Sequence, residues 1–311
     1  MSVGGGAPAS AGMSASAATP AVGGTFGNAG ARSSAETPAV GGSSAGSGSA
    51  GSAGMASRAL PVASPGCALA KGTPTETGVV SYALPDSYDG VAPWPLIIEL
   101  PATNVPPRIA VTRNGTKALN QRYVVVAPRP YSVSYGSFEG LPEADFVAQL
   151  EADLAEVCFD ESRVFGAGNG SGGRVLMQRF VPPANLALPA LRAVAVVGSF
   201  TGKPKPPTPT LFIHSANWSE SKVFDDVDGK KALDVFLTGN TCSDSSTPLD
   251  IAACSAGALT IDPHCVEFDD CVAAVRWCQP DDLGPTAASN GDGWPCFANE
   301  VIDEFFSRYL D

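Results

Sequence analysis

The chain has 311 residues, 44% of them hydrophobic and 16% charged, and carries a formal net charge of −12 at pH 7. This charge excludes nucleic acid as the main partner, since phosphate binding requires a basic face. A transmembrane helix is also excluded, because no run of about 18 apolar residues occurs. The length allows one large α/β domain or two smaller domains.

The first 66 residues consist almost entirely of Gly, Ala, Ser, Thr and Pro. A segment of this composition cannot bury enough apolar surface to offset the entropy lost on ordering. We therefore expect residues 1–66 to be a disordered tether. The folded domain is predicted to span residues 67–311, which is long enough to form a sizeable core.

Eight cysteines lie in the predicted domain, and two explanations compete for them. Zinc sites require two pairs of closely spaced ligands, whereas the gaps here are wider. An even number of cysteines favours disulfides and an oxidising compartment, with the connectivity left open. No signal segment follows Met1, so we expect an upstream start or a fragment of a secreted or surface-tethered protein. The eight are Cys67, Cys158, Cys242, Cys254, Cys265, Cys271, Cys278 and Cys296.

Apolar runs of strand length begin after Gly78. Several are apolar at every position and are bounded by Pro, Gly or Asn, which indicates strands buried on both faces of a parallel sheet. The predicted strands are Val79–Leu84, Leu96–Leu100, Tyr123–Ala127, Arg163–Ala167, Ala193–Val197 and Leu211–His214.

The segments between the strands have helical periodicity. Helices are predicted at Glu143–Val157, Arg174–Phe180, Gly229–Leu237 and Asn299–Leu310. The alternation predicts an α/β fold, with a mainly parallel sheet flanked by helices and right-handed crossovers. Ligands bind such sheets beyond the carboxyl ends of the strands, so the loops there are the predicted site.

One of these loops, Gly168-Asn-Gly-Ser-Gly-Gly173, joins a buried strand directly to a helix. It lacks the Gly-Lys-Ser/Thr ending of a Walker loop. The spacing of Gly168, Gly170 and Gly173 matches a dinucleotide fingerprint, but the loop lies far from the first strand and no acidic residue ends the next one. The third alternative is a nucleophile elbow, in which a serine occupies a strained strand-to-helix turn.

The residues around this turn carry a family resemblance. The segment Cys158-Phe-Asp-Glu-Ser-Arg-Val-Phe-Gly-Ala-Gly168 resembles the elbow strand of secreted polyhydroxybutyrate depolymerases and feruloyl-esterase-like α/β-hydrolases, which reads C-x-D-x-x-R-V-[FY]-x-x-G-x-S-x-G-G. Pro209–His214 resembles the strand before the family's catalytic acid, and Gly291-Asp-Gly-Trp-Pro295 resembles its G-H-x-W-P segment. The resemblance spans about residues 67–311 and implies an α/β-hydrolase fold.

The family's catalytic residues do not occur at the matching positions. Its nucleophilic serine corresponds to Gly170, its acid to Trp218 and its histidine to Asp292. A serine hydrolase needs a hydroxyl, an imidazole base, an orienting carboxylate and oxyanion donors. Glycine has no hydroxyl, and an aspartate with a pKa of about 3.9 is a poor base. We therefore expect a catalytically inactive domain that acts in binding.

An active carboxylic-ester hydrolase is the alternative. Ser171 lies one residue beyond the elbow apex and would need one of the two histidines of the chain. His264 is the candidate base, with Asp262, Asp225 or Asp226 as the acid, because the resemblance gives His214 a structural role. Against this alternative, Ser171 would simply open a helix and His264 would lie in a surface loop.

No cofactor and no metal is expected, since Asp226-Val-Asp228-Gly229 only begins a calcium-loop pattern. The predicted ligand pocket contains Trp218 and Trp294, whereas Trp277 is expected in the core. The resemblance implies a polyester, a plant-cell-wall ester, a glycan or a protein as ligand. We expect a monomer that is extracellular or tethered to the cell surface.

Overall fold

A computed structural model describes residues 60–69, 80–103, 105–114, 117–128, 143–179, 190–198, 207–214, 229–256, 259–280 and 294–311. Within these ranges, no helix has both the length and the apolar composition that crossing a membrane requires.

The described strands form one large sheet and one hairpin. The strands of the large sheet are β1 (Ser81–Ala83), β2 (Trp94–Leu100), β3 (Val124–Ala127), β4 (Phe159–Asn169), β5 (Ala193–Val197), β6 (Thr210–Ile213), β7 (Ser246–Leu249), β10 (Pro263–Phe268) and β11 (Val275–Pro280). The hairpin consists of β8 (Cys254–Ala256) and β9 (Leu259–Ile261).

The strand order in the large sheet is β1-β3-β2-β4-β5-β6-β11-β10-β7. Neighbours from β3 to β11 pair in parallel, while β1, β10 and β7 pair antiparallel with their neighbours. An antiparallel β1 beside β3, with β2 and β3 exchanged in order, is the arrangement of the α/β-hydrolase fold. The predicted fold is thereby confirmed.

Helices cover both faces of the sheet. They are α1 (Pro107–Asn114), α2 (Lys117–Arg122), α3 (Glu143–Leu154), α4 (Ser171–Arg179), α5 (Gly229–Gly239) and α6 (Ala298–Ser307). Apolar side chains of α3, α4 and α5 pack in one core cluster, and those of α1, α2 and α6 pack in the other. Strand residues alternate between the two clusters, because successive side chains of a strand point to opposite faces.

The sequence missed β11, although this strand continues the parallel part of the sheet. Its second residue, Arg276, is fully buried and forms ion pairs with Glu267 on β10 and Glu304 on α6. Burying a charge requires such partners. A buried ion pair in an otherwise apolar environment therefore concealed a central strand from a search for apolar runs.

The eight cysteines form four disulfides, as predicted, and the structure supplies the connectivity that the sequence left open. The Cys265–Cys278 bond joins β10 to β11, and the Cys254–Cys296 bond joins the β8–β9 hairpin to the segment before α6. The other two are Cys67–Cys158 and Cys242–Cys271.

Residues 62–66, which precede the expected start of the domain at position 67, also contact it. Residues 56–311 form one compact unit, and Ser64 is only 2% exposed. Its hydroxyl donates to the carbonyl of Val157 at 2.9 Å and accepts from the N–H of Phe159 at 3.0 Å. The amino-terminal segment of the domain therefore satisfies backbone groups where β4 begins.

The C-x-D-x-x-R part of the family motif has a structural role in this fold. Cys158 forms the disulfide with Cys67, and the Asp160 carboxylate binds the Arg163 guanidinium. Asp160 also accepts the N–H of Val62 at 2.9 Å and the hydroxyl of Ser162 at 2.6 Å. Burial alone would raise the pKa of Asp160, but these hydrogen bonds outweigh it and lower that pKa.

We predict that a chain beginning at residue 67 is less stable than one beginning at residue 60, by roughly 2–4 kcal/mol, since the shorter chain leaves several backbone groups of Val157–Glu161 without partners. Urea unfolding of both oxidised proteins measures the difference. Equal midpoints and equal slopes would contradict a structural role for residues 60–66.

A second prediction concerns Asp160→Asn. Because the folded-state pKa of Asp160 is lowered, its charge stabilises the fold above the unfolded-state pKa of about 3.9, and this contribution is lost as the pH falls through the folded-state pKa. The stability difference between the native chain and the variant should be largest above about pH 5 and shrink below about pH 4. The exposed Asp250→Asn serves as the control, with an effect within about 0.5 kcal/mol.

Candidate functional site

The glycine-rich turn has the backbone of a nucleophile elbow. β4 ends at Asn169, Gly170 has a φ of +51°, and α4 begins at Ser171. The N–H of Arg174 donates to the carbonyl of Gly170 at 3.1 Å and so closes the first helical turn. A left-handed φ strains any residue with a side chain, and elbows hold their nucleophile in such a strained turn. Here a glycine occupies that apex.

The neighbouring glycines are required by close packing. A Cβ at Gly172 would lie 2.0 Å from the carbonyl oxygen of Leu100, and a Cβ at Gly168 would lie 2.7 Å from the Cα of Gly173. A Cβ at Gly173 would lie 2.7 Å from a methyl group of Val196. Contacts within the protein therefore account for the glycine spacing that also matched a dinucleotide fingerprint.

Gly170 differs from these glycines because space is available at its position. Among the described residues, a Cβ there would meet only Ala102 within 4 Å, with 3.2 Å between the two Cβ atoms. Ala102 belongs to the loop after β2. The elbow therefore has room for a small side chain, although the chain supplies none.

Ser171, the alternative nucleophile, faces the same loop. Its hydroxyl lies 2.6 Å from that of Thr103, which is exposed. Ser171 is the first residue of α4, in agreement with the simpler expectation that it opens the helix.

The structure does not bring Ser171 and His264 together. His264 lies on β10 opposite Gln279 of β11 and is exposed. In the strand order, β10 is four positions from β4. At about 4.8 Å between neighbouring strands, the separation is roughly 19 Å. Proton transfer requires hydrogen-bond reach, so His264 does not serve Ser171 as a base in this arrangement.

The other histidine packs in the protein interior. His214 follows β6, is 5% exposed and contacts Trp277 of β11, with 5.7 Å between the ring centroids and 37° between the ring planes. β11 lies on the side of β6 that faces away from β4. The ring contact therefore agrees with the structural role that the resemblance gave this histidine, and Trp277 belongs to the core as expected.

Two of the family positions, Trp218 and Asp292, lie outside the described residues, as do Asp225 and Asp226. Asp262 is exposed at the beginning of β10. Trp294 is 8% exposed, and its indole N–H donates to the side-chain oxygen of Asn299 at 3.0 Å.

Trp294 also borders a small cavity next to the elbow. The cavity measures about 10 Å³, close to the space that one water molecule needs. Its lining consists of Glu99, Pro101, Ala102, Val105, Ala110, Asn169 and Trp294. Glu99 is only 2% exposed and was missed at the sequence level. An acidic residue inside the apolar run Leu96–Leu100 was the signal that could have found it.

A larger cleft, of about 710 Å³, lies at the opposite edge of the sheet. Its lining includes Ser245, Thr247, Glu267, Asp269, Asp270 and Arg308. Glu267 pairs with Arg276 near the amino end of β11, whereas the elbow follows the carboxyl end of β4. The cleft is thus separate from the elbow. Among the described side chains, no three His, Cys, Asp or Glu residues are grouped so as to hold a metal ion.

No protein-family model and no curated protein matches the chain. Solved structures that it resembles include a thermostable esterase, at 14% identity and a TM-score of 0.45, with 73% of this chain and 58% of that one covered. Esterase 2 of Thermogutta terrifontis in its apo form shows 12% identity and a TM-score of 0.43, with 74% and 89% covered. A ferulic acid esterase from Streptomyces cinnamoneus shows 14% identity and a TM-score of 0.39, with 70% of this chain and 67% of that one covered.

The chain thus spans less than two thirds of the thermostable esterase. The resemblance to α/β-hydrolase esterases that the elbow sequence predicted is confirmed at the level of the fold, for which the strand order is the evidence.

The elbow geometry predicts that two similar substitutions destabilise the domain by different amounts. Gly170→Ala should cost about 1–2 kcal/mol, because it strains the left-handed φ but only crowds one methyl group. Gly172→Ala should cost about 3 kcal/mol or more, because its Cβ would overlap backbone carbonyls that cannot rotate away. Urea unfolding tests the order, and a larger cost for Gly170→Ala would contradict the described turn.

Proposed function

We propose that this chain is a secreted or surface-tethered α/β-hydrolase-fold protein whose ester-hydrolase site has decayed, and that it acts by binding. The observation that carries the proposal is Gly170 at the apex of an intact elbow, with a φ of +51° and no hydroxyl. A serine hydrolase without an attacking hydroxyl cannot form its acyl-enzyme.

The placement of the remaining candidates supports the same proposal. Ser171 is hydrogen-bonded to Thr103, and His264 is four strands away from β4. The ring of His214 contacts that of Trp277. The chain contains two histidines, and their placement favours the inference that neither accepts a proton at the elbow.

The relation to polyhydroxybutyrate depolymerases and feruloyl esterases is part of the proposal. Its support is the C-x-D-x-x-R-V segment, in which Cys158, Asp160 and Arg163 hold the beginning of β4. We infer that the ligand belongs to the chemistry of that family: a polyester, a plant-cell-wall ester or a glycan, with a protein partner as the remaining class. Four disulfides support an oxidising, extracellular location.

The proposal predicts that the full chain does not hydrolyse p-nitrophenyl acetate or butyrate faster than its Ser171→Ala and His264→Ala variants. Background release of p-nitrophenol should be the same for all three proteins within error. Hydrolysis that disappears in both variants would contradict the proposal. It would establish an esterase whose nucleophile is Ser171, one residue beyond the elbow apex.

A restoration experiment tests which positions were lost. The combined variant Gly170→Ser, Trp218→Asp, Asp292→His should react with a fluorophosphonate serine probe, with the label at position 170. The matched control replaces Gly170→Ser by Gly170→Ala in the same background and should remain unlabelled. If the folded serine variant is labelled no better than the control, the assignment of these three positions to a former triad is wrong.

A further inference from the structure

Residues 62–67, which we call the strap, lie antiparallel to the first residues of β4. Ala63 forms a β-bridge with Asp160. Three backbone N–H groups form hydrogen bonds between the strap and β4. Ser64 donates to the carbonyl of Phe159 at 2.8 Å, and Glu161 donates to the carbonyl of Val62 at 2.8 Å. Val62 donates to the Asp160 carboxylate at 2.9 Å.

The strap also fits closely against the residues that precede β4. Ser64 is 2% exposed and binds both Val157 and Phe159 through its hydroxyl. Gly66 passes so near to Val157 that a Cβ would lie 2.2 Å from the carbonyl oxygen. The strap is thus held by buried hydrogen bonds and by backbone packing, beyond its covalent attachment.

The covalent attachment is the disulfide between Cys67 and Cys158, which are 91 positions apart in the sequence. A force that enters the domain from upstream of the strap has two routes. It can follow the backbone from Cys67 onward into β1, β2 and β3, or it can cross the disulfide directly to the residue before β4. The disulfide is the shorter route, and it removes the intervening chain from the load.

We propose that the strap is a mechanical anchor: tension on the amino-terminal segment passes through Cys67–Cys158 into β4 and bypasses residues 68–157. The inference rests on the surface tethering in the proposed function, because only a tethered domain is loaded in this way. The Gly-, Ala- and Ser-rich composition of residues 1–59 is that of a linker.

The point of attachment also determines which part of the domain lies far from it. The strap binds the amino end of β4, and Gly170 follows its carboxyl end. β4 is not fully extended, because Phe159 and Gly168 pair with Trp94 and Leu100, which are only six residues apart on β2. At about 3.3 Å for each residue of β2, the two ends of β4 lie roughly 20 Å apart. An anchored domain therefore holds the elbow at the end of β4 remote from the anchor.

Force spectroscopy of the full chain, held by handles at its two termini, tests the load path. The oxidised native chain should show no early extension event. The Cys67→Ser, Cys158→Ser variant should extend at lower force by about 300–330 Å, the length of 91 residues at 3.3–3.6 Å each. The control Cys242→Ser, Cys271→Ser removes a bond that spans 29 positions and should show no early event of that length.

The native chain offers a second readout that does not depend on folding of a cysteine variant. Held at constant force in a thiol reductant, it should extend in one step of about 300–330 Å when Cys67–Cys158 is reduced. The rate of this step should rise with force. A rate that is independent of force, or an early event in the oxidised native chain, would overturn the proposal.

Failure of the anchor proposal can be distinguished from failure of the proposed function. Absence of the protein from the cell surface, measured by protease accessibility on intact cells, would remove the tethering but would leave the force measurement unchanged. Conversely, a force-independent reduction would remove the anchor without bearing on whether the elbow is catalytically inactive.

Discussion

The structure depends on one backbone contact, where Gly172 lies against the carbonyl groups of Leu100 and Pro101. This contact joins three parts of the domain: the loop after β2, the end of β4 and the beginning of α4. No side chain can occupy the space, and the turn keeps its shape through this packing together with backbone hydrogen bonds, among them Gly170 N–H to the Val197 carbonyl at 2.9 Å. A turn held in this way does not depend on a side chain at its apex, where Gly170 has none.

β4 connects the two ends of the domain that matter for function. At its amino end, Asp160 and Cys158 bind the strap, and Arg163 pairs with the Asp160 carboxylate. At its carboxyl end, Gly170 stands where the family has its serine. The family motif thus has a structural half and a catalytic half, and the described contacts account for the first. Stability needs the structural half whether or not the chain is catalytic, so the resemblance there does not depend on the catalytic half.

Much of the fold could be predicted from the sequence because it is locally encoded. Ala193–Val197 was identified residue for residue, and the other apolar strands were found within a few positions, since burial on both faces requires a continuous apolar run. β11 was missed because Arg276 interrupts its pattern and is neutralised by Glu267 and Glu304 from other elements. This neutralisation of the Arg276 charge depends on tertiary contacts, so no local sequence pattern reveals it.

At the candidate site, the sequence by itself determined that the elbow carries Gly170 in place of a hydroxyl, because that fact is a residue identity within a contiguous motif. The tertiary structure decided which residues that are distant along the chain lie close together in space. It placed His264 four strands from β4, directed Ser171 to Thr103 and paired the eight cysteines. These relations join residues distant along the chain, and their distances follow from the strand order, which arises only when the whole sheet assembles.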